Sequence, residues 1–332
     1  MKNPDEMIYQ YQMMQIERAG YSRKTVECQL RAIHSFKKFI DKPMSLINKD
    51  DVVNYKSWLQ EHRKIKISTV HSQMVYLKQY YSWLCTKPGY RSKIDSDTVE
   101  YFIINRAEKS MLNHKSEKAI PTLDDVLELH RSIKPNSEIN LRNRAILAIA
   151  TTAGLREGAL VSLRKGSIDD DLFICQDPEN GVKTKYSKKI WTLAFNFHQE
   201  LTDSIREWKK KLEEKKFSES DPFFPKFTQL VETDQNALFP FIKEATKNFL
   251  SNPNVVNQIF QRLCKKAGLK YFHPHSYRHR WAMMGFENSY NGTQIRALSE
   301  SAGHEEITTL LKSYGHFTVP ELKAQLLNIN DN

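Results

Sequence analysis

The sequence predicts a mainly α-helical protein with a small antiparallel β-hairpin, and three observations carry that prediction. Only 11 glycines and 12 prolines occur in 332 residues, 40% of them hydrophobic, a composition of packed helices rather than of disorder. Apolar residues recur at helical spacing from Met7 to Cys85, and again from Phe197 onward. Between these stretches, after Leu163, the pattern changes to short strand-like runs. The length allows two domains, each with its own core. We expect a helical domain over residues 1–108, a polar linker over 109–120 and a second domain over 121–332.

The first domain reads as a small bundle. A helix over Met7–Ala19 closes at Gly20, and Ser22 caps the next. Thr25–Ile40 carries Cys28, Leu30, Ile33, Phe36 and Ile40 at helical spacing. A third helix covers Asp50–Glu61 with Val53, Tyr55, Trp58 and Leu59 inward. A fourth runs from Ser68 to Cys85 with Val70, Met74, Leu77, Tyr80, Tyr81 and Leu84 on its apolar face, and Lys87-Pro88-Gly89 stops it. In the second domain, Pro121-Thr122 followed by Asp125 has the pattern of a capped helix start. Ala145–Ala150 is apolar on every side and reads as a buried helix. Leu172–Cys175 and Ile190–Phe195 pair as a hairpin whose turn is Lys183–Lys189. Helices resume at Phe197–Lys215 and continue to the end. The last of them, Pro320–Ile329, offers Leu322, Leu326 and Leu327 either to a neighbouring subunit or to the core of its own domain.

The net charge of +11 points to a polyanionic partner. Residues 1–115 hold 20 Lys and Arg against 12 Asp and Glu, and the remainder 30 against 27. The first domain is therefore the general electrostatic grip, and the second holds something more specialised. No apolar run is long enough to span a bilayer and no signal peptide opens the chain, so a soluble, cytoplasmic protein is expected, with no membrane partner. Cys28, Cys85, Cys175 and Cys264 lie far apart without a CxxC pair, and read as reduced residues rather than metal ligands.

Chemistry-bearing residues occur in a fixed order. Arg156, in TTAGLREGALVSL, stands where an apolar helix ends and another begins, a position that suits a phosphate. Lys183 and Lys185, in VKTKYSKK, lie on the hairpin turn, from which either can donate a proton to a leaving oxygen. His275 and Arg278, in HPHSYRHRWAM, are three apart on one helix face and can reach one phosphate together. His304 and Tyr314, in AGHEEITTLLKSYGHF, complete the set. Two arginines, a lysine, two histidines and a tyrosine suffice to attack a phosphodiester. The arginines neutralise phosphate oxygens, the phenol is a nucleophile, and the lysine and histidines move protons.

In this order, the residues resemble the tyrosine recombinase (phage integrase) family along essentially the whole chain. GYSRKTVECQLRAIHSFKKFI resembles the opening helices of its core-binding domain, and the remainder its catalytic domain. The resemblance puts Arg156 at the family's first arginine, His275 and Arg278 at its histidine–arginine box, His304 at its third motif and Tyr314 at the nucleophile. It makes Lys183 or Lys185 the general acid. Two departures stand out. Ala159 occupies a position, three after Arg156, where members often carry an acid, and Tyr314 follows His304 by ten residues where nine is commoner. No arm-binding module is expected ahead of the helical domain.

The resemblance implies two domains closing as a clamp on double-stranded DNA, and a homotetramer exchanging strands between duplexes. It also implies a 3′-phosphotyrosyl intermediate that needs neither metal nor nucleotide cofactor. A type IB topoisomerase would use similar chemistry to relax one duplex. A DNA-binding protein of the same fold without catalysis is the other alternative.

Overall fold

The structure, a computed structural model, describes residues 4–113, 119–230, 242–289 and 291–308. The chain divides into two compact units, Met1–Glu117 and Lys118–Asn332.

The first unit is helical: α1 (Pro4–Glu17), α2 (Arg23–Ile40), α3 (Lys49–Glu61), α4 (Ile67–Leu84), α5 (Ser96–Glu100) and α6 (Arg106–Asn113). Ser22 caps α2 as expected, its hydroxyl accepting from the Thr25 amide at 3.2 Å. All six residues assigned to the apolar face of α4 are buried. On α3 the inward set differs. Val52, Tyr55 and Leu59 are buried while Val53 is 42% exposed and Trp58 half-buried. Positions 52, 55 and 59 form one stripe at helical spacing, and Val53 lies about 100° round the helix from its neighbour. Phe36 meets Tyr55, Tyr81 and Phe102 edge to face in the core, with the Phe36–Tyr55 centroids 5.0 Å apart. The stretch expected as a linker is helical at its start. Glu108 near the start of α6 accepts from Lys56 at 3.1 Å and from Gln60 at 2.8 Å, fastening α6 to α3.

The second unit comprises α7 (Leu123–Ser132), α8 (Glu138–Thr152), α9 (Glu157–Ser162), strands β1 (Phe173–Gln176) and β2 (Ile190–Leu193), α10 (Gln199–Glu214), β3 (Pro225–Leu230) and β4 (Ile242–Phe249), then α11 (Asn254–Ala267), α12 (Pro274–Glu287) and α13 (Gly292–Ser301). Thr122 and Asp125 form the reciprocal capping box that starts α7. The centre of the unit is α8, buried from Ala145 to Thr152 and packed on α10 through Leu201, Ile205, Trp208 and Leu212. Strands β1 and β2 are antiparallel, with Phe173 opposite Leu193 and Gln176 opposite Ile190.

One expectation fails here. Continuous helix after Lys215 is replaced by a second antiparallel hairpin, β3 with β4, in which Phe227 pairs with Ala245. Pro222 and Pro225 disfavour helix at the start of the segment. Phe227 and Ala245 pair across it and lie half-buried against the core. Arg142 of α8 anchors the base, donating to the Pro225 carbonyl at 2.7 Å with its guanidinium over the Phe227 ring. Among the described residues, no helix is long and apolar enough to cross a membrane. The four cysteines are free.

Candidate active site

Three segments far apart in sequence meet at one backbone carbonyl. The first is the turn between α8 and α9. Gly154 adopts φ +59°, in the region that favours glycine, and two residues on Arg156 sits at the N-cap of α9 in extended conformation. A Cβ on Gly154 would lie 2.4–2.8 Å from three indole carbons of Trp281. The glycine therefore lets this turn pack directly on α12.

The second segment is α12. His273 caps it, its Nδ1 accepting from the His275 amide at 3.2 Å, and Pro274 supplies the first helical residue. Arg278 is buried in the following turn. Its Nη1 donates to the Gly154 carbonyl and its Nη2 to the Ala302 carbonyl at 2.5 Å.

The third segment is the end of α13. Arg156 Nη2 also donates to the Ala302 carbonyl, at 3.2 Å. Gly303, at φ +63°, turns the chain to present His304, and a Cβ there would stand 2.5 Å from Ile190 of β2 and 3.3 Å from Arg156 Nη1. Strand β2 is tied to the same turn, since Thr192 donates to the Ser301 carbonyl at 3.0 Å.

Two guanidinium groups thus share one acceptor beside an imidazole. His304 is driven down to about 4, first by burial and then by the positive charges of Arg278, Arg156 and Lys185. It is therefore neutral at pH 7, and its buried Nδ1 has no hydrogen-bond partner among the described residues. A neutral imidazole can donate one hydrogen bond and accept another. Paired guanidiniums next to it suit an anion with several oxygens, such as a phosphate. On the other side of Arg156, Glu157 lies 3.7 Å from His273, and burial raises its carboxyl above the usual range.

The hairpin lysines are both exposed but differently held. The Lys183 amide donates to Ser162 Oγ of α9 at 2.8 Å. The Lys185 ammonium lies 4.7 Å from the Tyr186 ring centroid, and its charge acts on His304. Lys188 pairs with Glu305 at 2.6 Å, joining this loop to the segment that carries His304. His275, in the first turn of α12, is exposed and meets the His279 ring edge to face at 4.7 Å. Tyr314 and the segment Pro320–Ile329 lie outside the described residues.

The structure therefore brings Arg156, Arg278 and His304 together and sets Lys185 electrostatically near them. Sequence reasoning missed Ala302, Trp281 and Ser162, which act through backbone, packing or a single hydroxyl. One signal was there to read: an Ala-Gly pair precedes both LREG and HEE.

The second unit of this helical protein gathers arginine, arginine and histidine from three motifs, an arrangement whose chemistry suits a phosphate. Comparison with known proteins is in keeping with that chemistry. Residues 121–320 match the Phage integrase family, and residues 8–89 its N-terminal SAM-like domain. The chain belongs to the phage integrase family and is a tyrosine recombinase. It is 26% identical over 318 residues to tyrosine recombinase XerC of Lactobacillus leichmannii, covering 92% of each chain. To XerC of Staphylococcus aureus strain JH9 it is 23% identical over 290 residues, covering 84% of this chain and 87% of the other. Its fold is similar to the Tn1549 transposon integrase in complex with transposon right end DNA, with a TM-score of 0.66, 15% identity and 98% of each chain covered. A lambda integrase tetramer bound to a Holliday junction gives 0.65, at 15% identity, covering 95% of this chain and 79% of that one.

Proposed function

We propose that this recombinase cuts and rejoins double-stranded DNA at a specific site, with Tyr314 attacking the scissile phosphate to form a 3′-phosphotyrosyl link. The observation that carries the reading is the convergence of Arg156 and Arg278 on the Ala302 carbonyl beside His304. Such a cradle stabilises charge that grows on the phosphoryl oxygens as the pentavalent transition state forms. His304, held neutral, adds a hydrogen bond to the same oxygens. His275 takes the phenol proton, and a hairpin lysine, Lys183 or Lys185, protonates the departing 5′ oxygen. The covalent link retains the energy of the broken bond, so the 5′-hydroxyl of a partner strand can reverse the step and complete exchange.

The positive charge of the chain supports a grip on the DNA backbone. Exchange between two duplexes calls for several protomers, and the lambda integrase tetramer on a Holliday junction supports a homotetramer acting on DNA. The test is covalent trapping. Wild type and Tyr314→Phe are incubated in EDTA with DNA that includes the gene's own genomic flanks, then denatured in SDS. Protein-linked DNA with wild type alone is expected, and joined products distinguish recombination from simple relaxation. Arg278→Ala should cut adduct formation about 10²–10³-fold, as loss of an oxyanion donor does. Tight binding without any adduct would overturn the catalytic reading in favour of a DNA-binding protein of the same fold.

A further inference from the structure

Tyr186 is the most exposed of the large apolar side chains among the described residues, at 73%. A ring left in water buries nothing, so the packing of the core does not account for its place. Its backbone is costly as well. Tyr186 adopts φ +60° and ψ +24°, and Ser187 follows at φ +52°. Among the described residues, no other two consecutive non-glycine residues take the left-handed region. A bulky residue enters it only under strain, and strain that its surroundings hold in place gathers at functional sites.

Here the surroundings do hold it. Residues 177–189 join β1 to β2. On one side the Ser162 hydroxyl of α9 accepts the Lys183 amide at 2.8 Å. On the other, Lys189 pairs with Asp177 at 2.7 Å and Lys188 with Glu305 at 2.6 Å. Thr184 closes the turn, donating to the Lys188 carbonyl at 2.7 Å. Between these anchors stands the Tyr186 ring, with the Lys185 ammonium 4.7 Å from its centroid. Glu305 follows His304 directly, and the Lys185 charge acts on that imidazole, so the turn lies beside the phosphate cradle. The lysines of the loop answer to the DNA backbone. An aromatic face adds little to a phosphate contact; what it matches in a nucleic acid is the face of a base.

We propose that Tyr186 is a wedge whose ring stacks on a base beside the scissile phosphate and opens that base step, so that the enzyme selects sites whose step unstacks easily. This rests on the recombinase reading above. Side chains that enter a step in this way break stacking and kink the duplex. The cost is least at pyrimidine–purine steps, so the residue reads deformability rather than the hydrogen-bonding groups of base edges. Anchoring on both sides suits the task, because a ring already fixed in place loses little freedom when it stacks.

The test uses a duplex carrying the cleavage position that covalent trapping maps, and copies with a single mismatch on one or the other side of the scissile phosphate. A mismatched base has already lost much of the stacking that a wedge must break. Tyr186→Ala should slow adduct formation on the matched duplex about 5- to 100-fold, the scale of one base–aromatic stack. One of the two mismatches should restore it to near the wild-type rate. Tyr186→Phe, which keeps the ring, should match wild type on every duplex. Aminopurine at the rescued position, whose fluorescence rises on unstacking, should brighten when wild type binds and stay dim with Tyr186→Ala. The ring is exposed, so its removal leaves the core as it is. Equal slowing by Tyr186→Ala on matched and mismatched DNA, or no slowing on any duplex, overturns the proposal. So does a Tyr186→Phe as slow as Tyr186→Ala. Wild type that forms no adduct on any duplex overturns the recombinase reading, and this proposal with it.

Discussion

Replacing Gly154 by alanine tests the central joint of the site. Two costs are readable from the structure. At φ +59° the new side chain enters left-handed backbone, which costs an L-residue roughly 1–2 kcal/mol. Its Cβ would also stand 2.4–2.8 Å from the Trp281 indole, a fully buried ring stacked on Phe195 with no room to retreat. Overpacking of this kind costs about 1–3 kcal/mol. The sum, about 2–5 kcal/mol, should lower the melting temperature of the second unit by roughly 4–20 °C at about 2–4 °C per kcal/mol. The Gly154 carbonyl also accepts from Arg278, so relief of the clash displaces the arginine, and adduct formation should fall more than stability does. Calorimetry and covalent trapping read the two effects. Gly154→Ala combined with Trp281→Leu separates them, since it removes the clash and leaves the backbone strain. A single variant that melts within 2 °C of wild type and forms adducts at the wild-type rate would refute the reasoning.

Two further outcomes follow from buried basic groups. His130, buried and bonded to Ser204 at 3.1 Å, is held down to about 4 by burial and then by the charge of Arg144. Its folded value lies below the unfolded one, so the unfolded chain takes up the proton first. Stability should fall as pH drops from about 6.5 toward 4. Urea titrations at pH 7 and pH 5 should show that loss in wild type and a smaller one in His130→Asn, and an unchanged pH dependence would contradict the assignment. Arg142→Met should leave the Pro225 carbonyl without its guanidinium donor, at about 1–3 kcal/mol. Faster hydrogen exchange confined to 225–230 and 242–249 would mark the loosened hairpin, while unchanged protection there would argue against Arg142 as its anchor.

The legible parts of this protein were those written in periodic apolar residues or in distinctive side chains. The buried face of α4 and the Ser22 cap could be read directly, because spacing and a hydroxyl are local signals. Strands β3 and β4 could not. They are polar but for a few residues, and Phe227 and Ala245, which pair across the hairpin and pack on the core, are only half-buried. On α3 the error was of phase, since two adjacent valines compete for one stripe and only packing chooses Val52. At the site, Arg156, Arg278 and His304 were legible as chemistry. What brings them together was not, because a main-chain carbonyl carries no reactive group for sequence reasoning to notice.

That difference has a physical consequence for how the site forms. Arg278 bridges the turn before α9 and the end of α13, contacts separated by 124 and 24 residues, and Arg156 reaches the same carbonyl across 146. No one of the three segments can present its group correctly without the other two, so the cradle appears only once the second unit has folded as a whole. Carbonyl acceptors suit this arrangement better than carboxylates would. A carbonyl orients a guanidinium through a hydrogen bond without bringing a full negative charge against it, whereas a carboxylate in the same place would cancel the attraction the site offers a phosphate. The two left-handed glycines follow from the same demand. Gly154 and Gly303 let main chain approach Trp281 and Ile190 where a Cβ would collide, so the backbone at these turns can come close enough to supply the acceptors.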